Sequence, residues 1–66
     1  MFVVHVKYVF ATSEGYSKYT CQNLTELWNL AWLLSSSDWV ISYFVLRNDD
    51  EVRPENLGWS KFPHWL

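Results

Sequence analysis

The fold is decided by residues 23–46, NLTELWNLAWLLSSSDWVISYFVL, in which a helix start leads through a serine turn into a long apolar run. Asn23 is a typical N-cap residue, and Glu26, three residues later, can reach back to the Asn23 amide in a capping-box arrangement. Serines at 35–37 favour caps and turns over helix interiors. We therefore predict a helix from Leu24 to about Ser35.

The predicted helix is unusually apolar around its circumference. Its inward stripe, which we expect to pack on a sheet, consists of Leu24, Leu27, Trp28, Ala31 and Leu34. The opposite side is polar in its first half but carries Trp32 and Leu33 in its second half, with Leu30 beside them. A surface helix normally has charged or polar residues there. The second half therefore indicates a surface that needs a partner.

The segment after the serines predicts a strand over Trp39–Leu46. Residues on both of its alternating faces are largely apolar. Such strands usually lie inside a sheet and are covered on both sides. We place this strand in the middle of the sheet, beside the first strand of the chain.

The residues before the helix predict an antiparallel hairpin. In Phe2–Ala11, successive residues alternate between a more apolar face and a face that carries His5 and Lys7, which is typical of a strand. Tyr16–Cys21 predicts a second, shorter strand. Thr12–Gly15 predicts the turn between them, with Gly15 adopting a positive φ. The side of the second strand that carries Lys18 should face water.

The C-terminal part, residues 47–66, should be mostly irregular, since its first half is polar and Pro54 disfavours a central strand. Disordered tails are poor in aromatic residues, whereas this one carries Leu57, Trp59, Phe62, Trp65 and Leu66. It should therefore pack, either on its own sheet or on a second copy.

The predicted fold is a small single α+β domain over residues 1–66. It has a three-stranded, mainly antiparallel sheet in β-β-α-β order, with one helix on one face and an aromatic-rich irregular tail. A chain of this length buries only about 60% of its unfolded surface, so stability needs a staple or a partner.

Composition disfavours several classes of protein. The lone Cys21 cannot form an intrachain disulfide, which favours the cytoplasm, and no signal peptide is evident. Polar residues at 35–38 interrupt the one candidate membrane segment. We expect no metal or cofactor, because the ligand spacing is absent and two glycines cannot build a phosphate-binding loop. His5, Cys21 and His64 are the only candidates for catalysis at neutral pH, and we predict that the protein is not an enzyme.

The surplus of apolar residues predicts a small protein-binding module. Trp and Tyr are enriched in binding hot spots, and the partner-binding residues we predict are Leu30, Trp32, Leu33, Trp59, Phe62 and Trp65. The partner is a larger host protein that the module occludes, a second copy in a homodimer, or both. By analogy from size alone, a phage- or plasmid-type inhibitor fits this description.

The alternative is a single-stranded nucleic-acid-binding protein that stacks bases on sheet aromatics such as Tyr16 or Tyr43. The net charge of −2, with Lys and Arg scattered along the chain, disfavours it.

Overall fold

The computed structural model describes all 66 residues, Met1–Leu66, as one sheet with one helix packed on it. The elements in chain order are β1 (Phe2–Phe10), β2 (Ser13–Cys21), α1 (Leu24–Ser35), β3 (Val40–Arg47), β4 (Asp50–Val52) and a 3₁₀ turn (Pro54–Leu57). The sheet is antiparallel and its strand order is β2-β1-β3-β4. The α+β class is confirmed. The prediction of three strands in β-β-α-β order is wrong, because a short fourth strand follows β3.

The fourth strand exists because Asn48 and Asp49 form a two-residue hairpin turn. Both have positive φ, 52° and 66°, and the flanking residues Arg47 and Asp50 pair with each other. This is the conformation of a type I′ turn, whose twist matches that of the strands, and Asn and Asp tolerate it better than most residues. Pro54 then ends the pairing, so β4 remains a short edge strand.

The β1–β2 hairpin is longer than predicted. Phe10 pairs with Ser13, which leaves a turn of only Ala11 and Thr12, and Ala11 has a φ of 57°. Gly15 therefore lies inside β2 and not in the turn. A Cβ atom added at Gly15 would come within 2.7 Å of the Tyr8 ring. Gly15 is needed because an aromatic ring from β1 lies across it.

Strand β3 lies beside β1, inside the sheet, as predicted. Tyr43 and Val45 are buried on the face that α1 covers, which we call the core face. A bulge opposite Lys7 and Tyr8 leaves Ile41 without a partner, so Val40 also turns inward while Ile41 stays 40% exposed. The opposite face, which we call the outer face, carries no helix. The expectation that β3 is covered on both sides is wrong.

Helix α1 begins at the predicted cap. The Asn23 Oδ1 accepts the Glu26 amide at 2.9 Å, while a Glu26 carboxylate oxygen accepts the amide of Gln22, not that of Asn23, at 3.0 Å. The buried stripe is narrower than predicted: Leu27, Ala31 and Leu34 are buried, but Leu24 and Trp28 are 47% and 38% exposed. The helix meets the sheet along one narrow line, and both exposed residues lie on the same flank of it.

The tail packs on its own chain. Tyr43 donates its amide to the His64 carbonyl and accepts the Leu66 amide, both at 2.9 Å, so the tail pairs with β3 beside β4. Phe62 and Trp65 thereby enter the core, where they are 5% and 4% exposed. Of the two alternatives for the tail, the structure has the one in which it completes the core of the monomer.

Candidate partner-binding surface

A network of hydroxyl groups fixes the tail against α1 and β3. The Ser35 hydroxyl donates to the Pro63 carbonyl at 2.9 Å, and its oxygen lies 2.8 Å from the Tyr43 hydroxyl oxygen in a second hydrogen bond. The Trp65 indole N–H donates to the Val52 carbonyl at 3.2 Å. Buried hydroxyl and indole groups need such partners. These hydrogen bonds thus join the C-terminal tail to α1, and α1 to β3, while the Trp65 indole joins the tail to β4.

The fixed tail brings its aromatic rings against one flank of the helix. Trp28 lies at 4.9 Å from Trp59 and 5.4 Å from Phe62, measured between ring centroids, and at 5.9 Å from Trp32. Trp32 also lies at 5.4 Å from Phe62. All four pairs are edge-to-face, the geometry that aromatic quadrupoles favour. A continuous aromatic cluster therefore runs from the core to the surface.

The exposed end of this cluster is the candidate binding surface. We call it the tryptophan surface and define it as Trp28 and Trp32 with Phe62 as its floor. The groove between them has a volume of about 290 Å³ and is bordered by Ser60, Lys61 and Pro63. Trp32 is 52% exposed and Trp28 38%. Large apolar rings held open to solvent in one place usually mark an interaction site.

The six residues predicted for partner binding do not form one surface. Trp32 and Leu33 are exposed, at 52% and 60%, but they lie about 100° apart around the helix. Leu30 and Trp59 are partly buried against the core. Phe62 and Trp65 are buried inside the monomer, so Trp65 cannot reach a partner and Phe62 serves only as a floor. The difference arises because the tail folds back on its own helix.

Trp28 belongs to this surface, although the sequence assigned it to the core. Its position on the helical wheel next to Ala31 and Leu27 gave no reason to expect exposure. The available signal was its spacing of four residues from Trp32, which places two indoles on adjacent turns of one flank.

The titratable candidates do not come together. The His5 ring stacks on Phe44 at 4.9 Å with an interplanar angle of 7° on the outer face. His64 lies in the tail with a φ of 70°, and Cys21 is buried next to α1. Burial raises the pKa of the Cys21 thiol, and the nearby Glu26 carboxylate raises it further. A thiol of this kind is protonated and a poor nucleophile.

Burial also raises the pKa of the Tyr43 hydroxyl, and the hydrogen bond with Ser35 partly opposes this shift. Tyr43 therefore stands in the core as a neutral hydrogen-bonding group and not on the surface as a stacking platform. No three side chains of the His, Cys, Asp and Glu types converge in an arrangement that could hold a metal ion.

Comparison of the chain with known protein families, curated proteins and solved structures finds no match. The only α-helix, of 12 residues, is not long enough to cross a membrane. The site must therefore be interpreted from its own geometry.

Proposed function

We propose that the protein is a small non-enzymatic binding module that docks the tryptophan surface onto a larger protein partner. The observation that carries the proposal is the state of Trp32, which is half exposed yet held between the rings of Trp28 and Phe62. An aromatic side chain fixed in this way loses little further conformational entropy on binding. The free, buried Cys21 favours the cytoplasm as its location.

The contribution of Trp32 to the affinity for a partner can be calculated from its solvent-exposed area. A tryptophan presents up to about 250 Å², and 52% of Trp32 is accessible, so a partner covering it removes on the order of 130 Å² from water. At about 25 cal/mol per Å² this is worth at most roughly 3 kcal/mol, or up to about a hundredfold in affinity, because the costs of association offset part of the gain. The partner that fits is a protein with an apolar anchor side chain, which enters the groove that the two indoles form with residues 60–63 of the tail. Occlusion of that protein is the mode of action we propose.

The test compares three forms of the chain as bait in extracts of its native host. Trp32→Ala should lose the captured partner, and its affinity for the purified partner should fall by up to about a hundredfold. Trp39→Ala is the matched control, because Trp39 is 40% exposed and packs edge-to-face on Tyr8, away from the tryptophan surface. Far-UV circular dichroism checks that both variants fold. Equal binding by Trp32→Ala and the wild-type protein would refute the proposal.

A second candidate function is supported by the outer face. There the His5 ring, which stacks on Phe44, has Lys18 opposite it on β2. Lys7 follows on the same face of β1, and Tyr16 opposite Lys7 is 74% exposed. Exposed rings next to cations are the elements with which proteins bind single-stranded nucleic acids. Tyr43, the other ring considered for this role, is 1% exposed and cannot contribute.

A salt titration separates the two candidates. Binding of unstructured oligonucleotides through the outer face should weaken steeply with salt and should be lost in Tyr16→Ala. Trp32→Ala should leave it unchanged. Absence of binding at low salt would eliminate the second candidate, which the net charge of −2 already disfavours.

A further inference from the structure

The two edges of the sheet differ in how they are closed. At one edge, β4 has only three residues and ends at Val52, shortly before Pro54. The tail pairs with the next part of β3, at Tyr43. At the other edge, β2 is free along nine residues. Its pairing with β1 is regular throughout, without a bulge or a proline. Long unpaired edges readily accept another strand, so proteins usually protect them.

The free backbone groups of β2 can be assigned. The Val9 amide donates to the Trp39 carbonyl on the side of β3. Backbone N–H and C=O groups of successive residues point alternately to the two sides of a strand, so the odd-numbered residues of β1 all bond towards β3. The residues of β2 that lie opposite them therefore direct their own backbone groups away from β1. Those residues are Glu14, Tyr16, Lys18 and Thr20, and all four are exposed. Their amides and carbonyls are free to bond to a further strand.

We propose that two copies of the chain pair edge to edge through β2, antiparallel, in a register centred on Tyr16. The Tyr16 residues of both copies then lie opposite each other and exchange two backbone hydrogen bonds. Glu14 of each copy lies opposite Lys18 of the other, which forms two cross-strand ion pairs. The two four-stranded sheets become one continuous sheet of eight strands.

Charge selects this register over its neighbours. Centring on Lys18 places the two lysines opposite each other, and like charges in that position are destabilising. Centring on Ser17 places Lys18 opposite Tyr16, which leaves Glu14 facing Thr20. Only the register centred on Tyr16 places Glu14, which already lies at 3.7 Å from Lys7, directly against a second cation.

The core-face residues of β2 do not hinder the pairing. In this register Gly15 lies opposite Ser17 of the second copy, and both side chains are small. The tryptophan surface lies over the β3 side of the helix, where Phe62 packs on Trp65 and Trp65 on Tyr43. The dimer therefore leaves both tryptophan surfaces accessible, and the inference does not depend on the proposed function.

Sedimentation equilibrium of the full chain tests the dimer. At ~0.1–1 mM, which is above dissociation constants in the low micromolar range, the mass should approach twice the chain mass of 7.9 kDa. Lys18→Glu, which turns two attractive pairs into repulsive ones, should raise the dissociation constant at least about tenfold. The double variant Glu14→Lys/Lys18→Glu should restore the dimer. Arg53→Glu, the same charge change at the opposite edge, should have no effect.

Amide hydrogen exchange tests the register. Raising the protein concentration should protect the amides of Glu14, Tyr16 and Lys18 and leave that of Thr20 unprotected, because Thr20 then lies beyond the paired segment. A monomer at ~1 mM overturns the inference. It is equally overturned by a dimer that Lys18→Glu does not weaken, or by protection that extends to Thr20.

Discussion

Replacing Trp65 tests the central role of the tail. Trp65 is 4% exposed and packs against Tyr43, Trp59 and Phe62. Truncating a buried tryptophan to alanine costs about 3–5 kcal/mol, whereas a chain of this length has roughly 3–10 kcal/mol in total. Trp65→Ala should therefore lose from about a third to all of its free energy of unfolding at 25 °C. Equilibrium urea unfolding, followed by far-UV circular dichroism, measures this loss.

A smaller change separates the indole N–H from the bulk of the ring. Trp65→Phe keeps an aromatic group but leaves the buried Val52 carbonyl, which the indole holds at 3.2 Å, without its donor. Such a lost partner costs about 1–3 kcal/mol, so this variant should remain folded with a lower urea midpoint. The matched control is Trp39→Phe, at a position 40% exposed, which should change stability by less than about 0.5 kcal/mol. If Trp65→Ala lost under about 1 kcal/mol, the tail would not be part of the core.

Three further predictions concern individual residues. Asn23→Ala should lower the free energy of unfolding by about 1 kcal/mol, since the Glu26 amide loses its acceptor, and urea unfolding measures it. Asp49→Gly should raise it by a few tenths to about 1 kcal/mol, because glycine adopts the φ of 66° without strain; a lower urea midpoint would contradict this. The buried Cys21 thiol and Tyr43 hydroxyl keep protons that the unfolded chain releases above its ordinary pKa values of 9.0 and 10.0. Their stabilisation is therefore complete below pH 9.0 and is lost as the pH rises further. In Cys21→Ala the free energy of unfolding should fall less between about pH 8 and 10 than in the wild-type protein. Urea midpoints measured across about that range test this.

Short-range chemistry made much of the fold predictable. The cap at Asn23, the helix over Leu24–Ser35 and the hairpin before it depend on hydrogen bonds and side-chain alternation within a few residues. The fourth strand was predictable in principle from Asn48 and Asp49, which favour a left-handed turn. It was missed because a polar stretch before a proline resembles a loop.

The sequence alone determined the helix and three of the four strands, and that the chain has more apolar side chains than one helix and its sheet need. Only the tertiary structure decided which aromatic residues are core and which are surface. Phe62 and Trp65 are buried because the tail pairs with Tyr43, whereas Trp28 and Trp32 remain accessible at the margin of that contact. Burial depends on contacts between residues far apart in the chain, and no local pattern encodes the path by which they meet. Residues 23–46 thus specify α1 and β3, but the returning tail determines where the tryptophan surface lies.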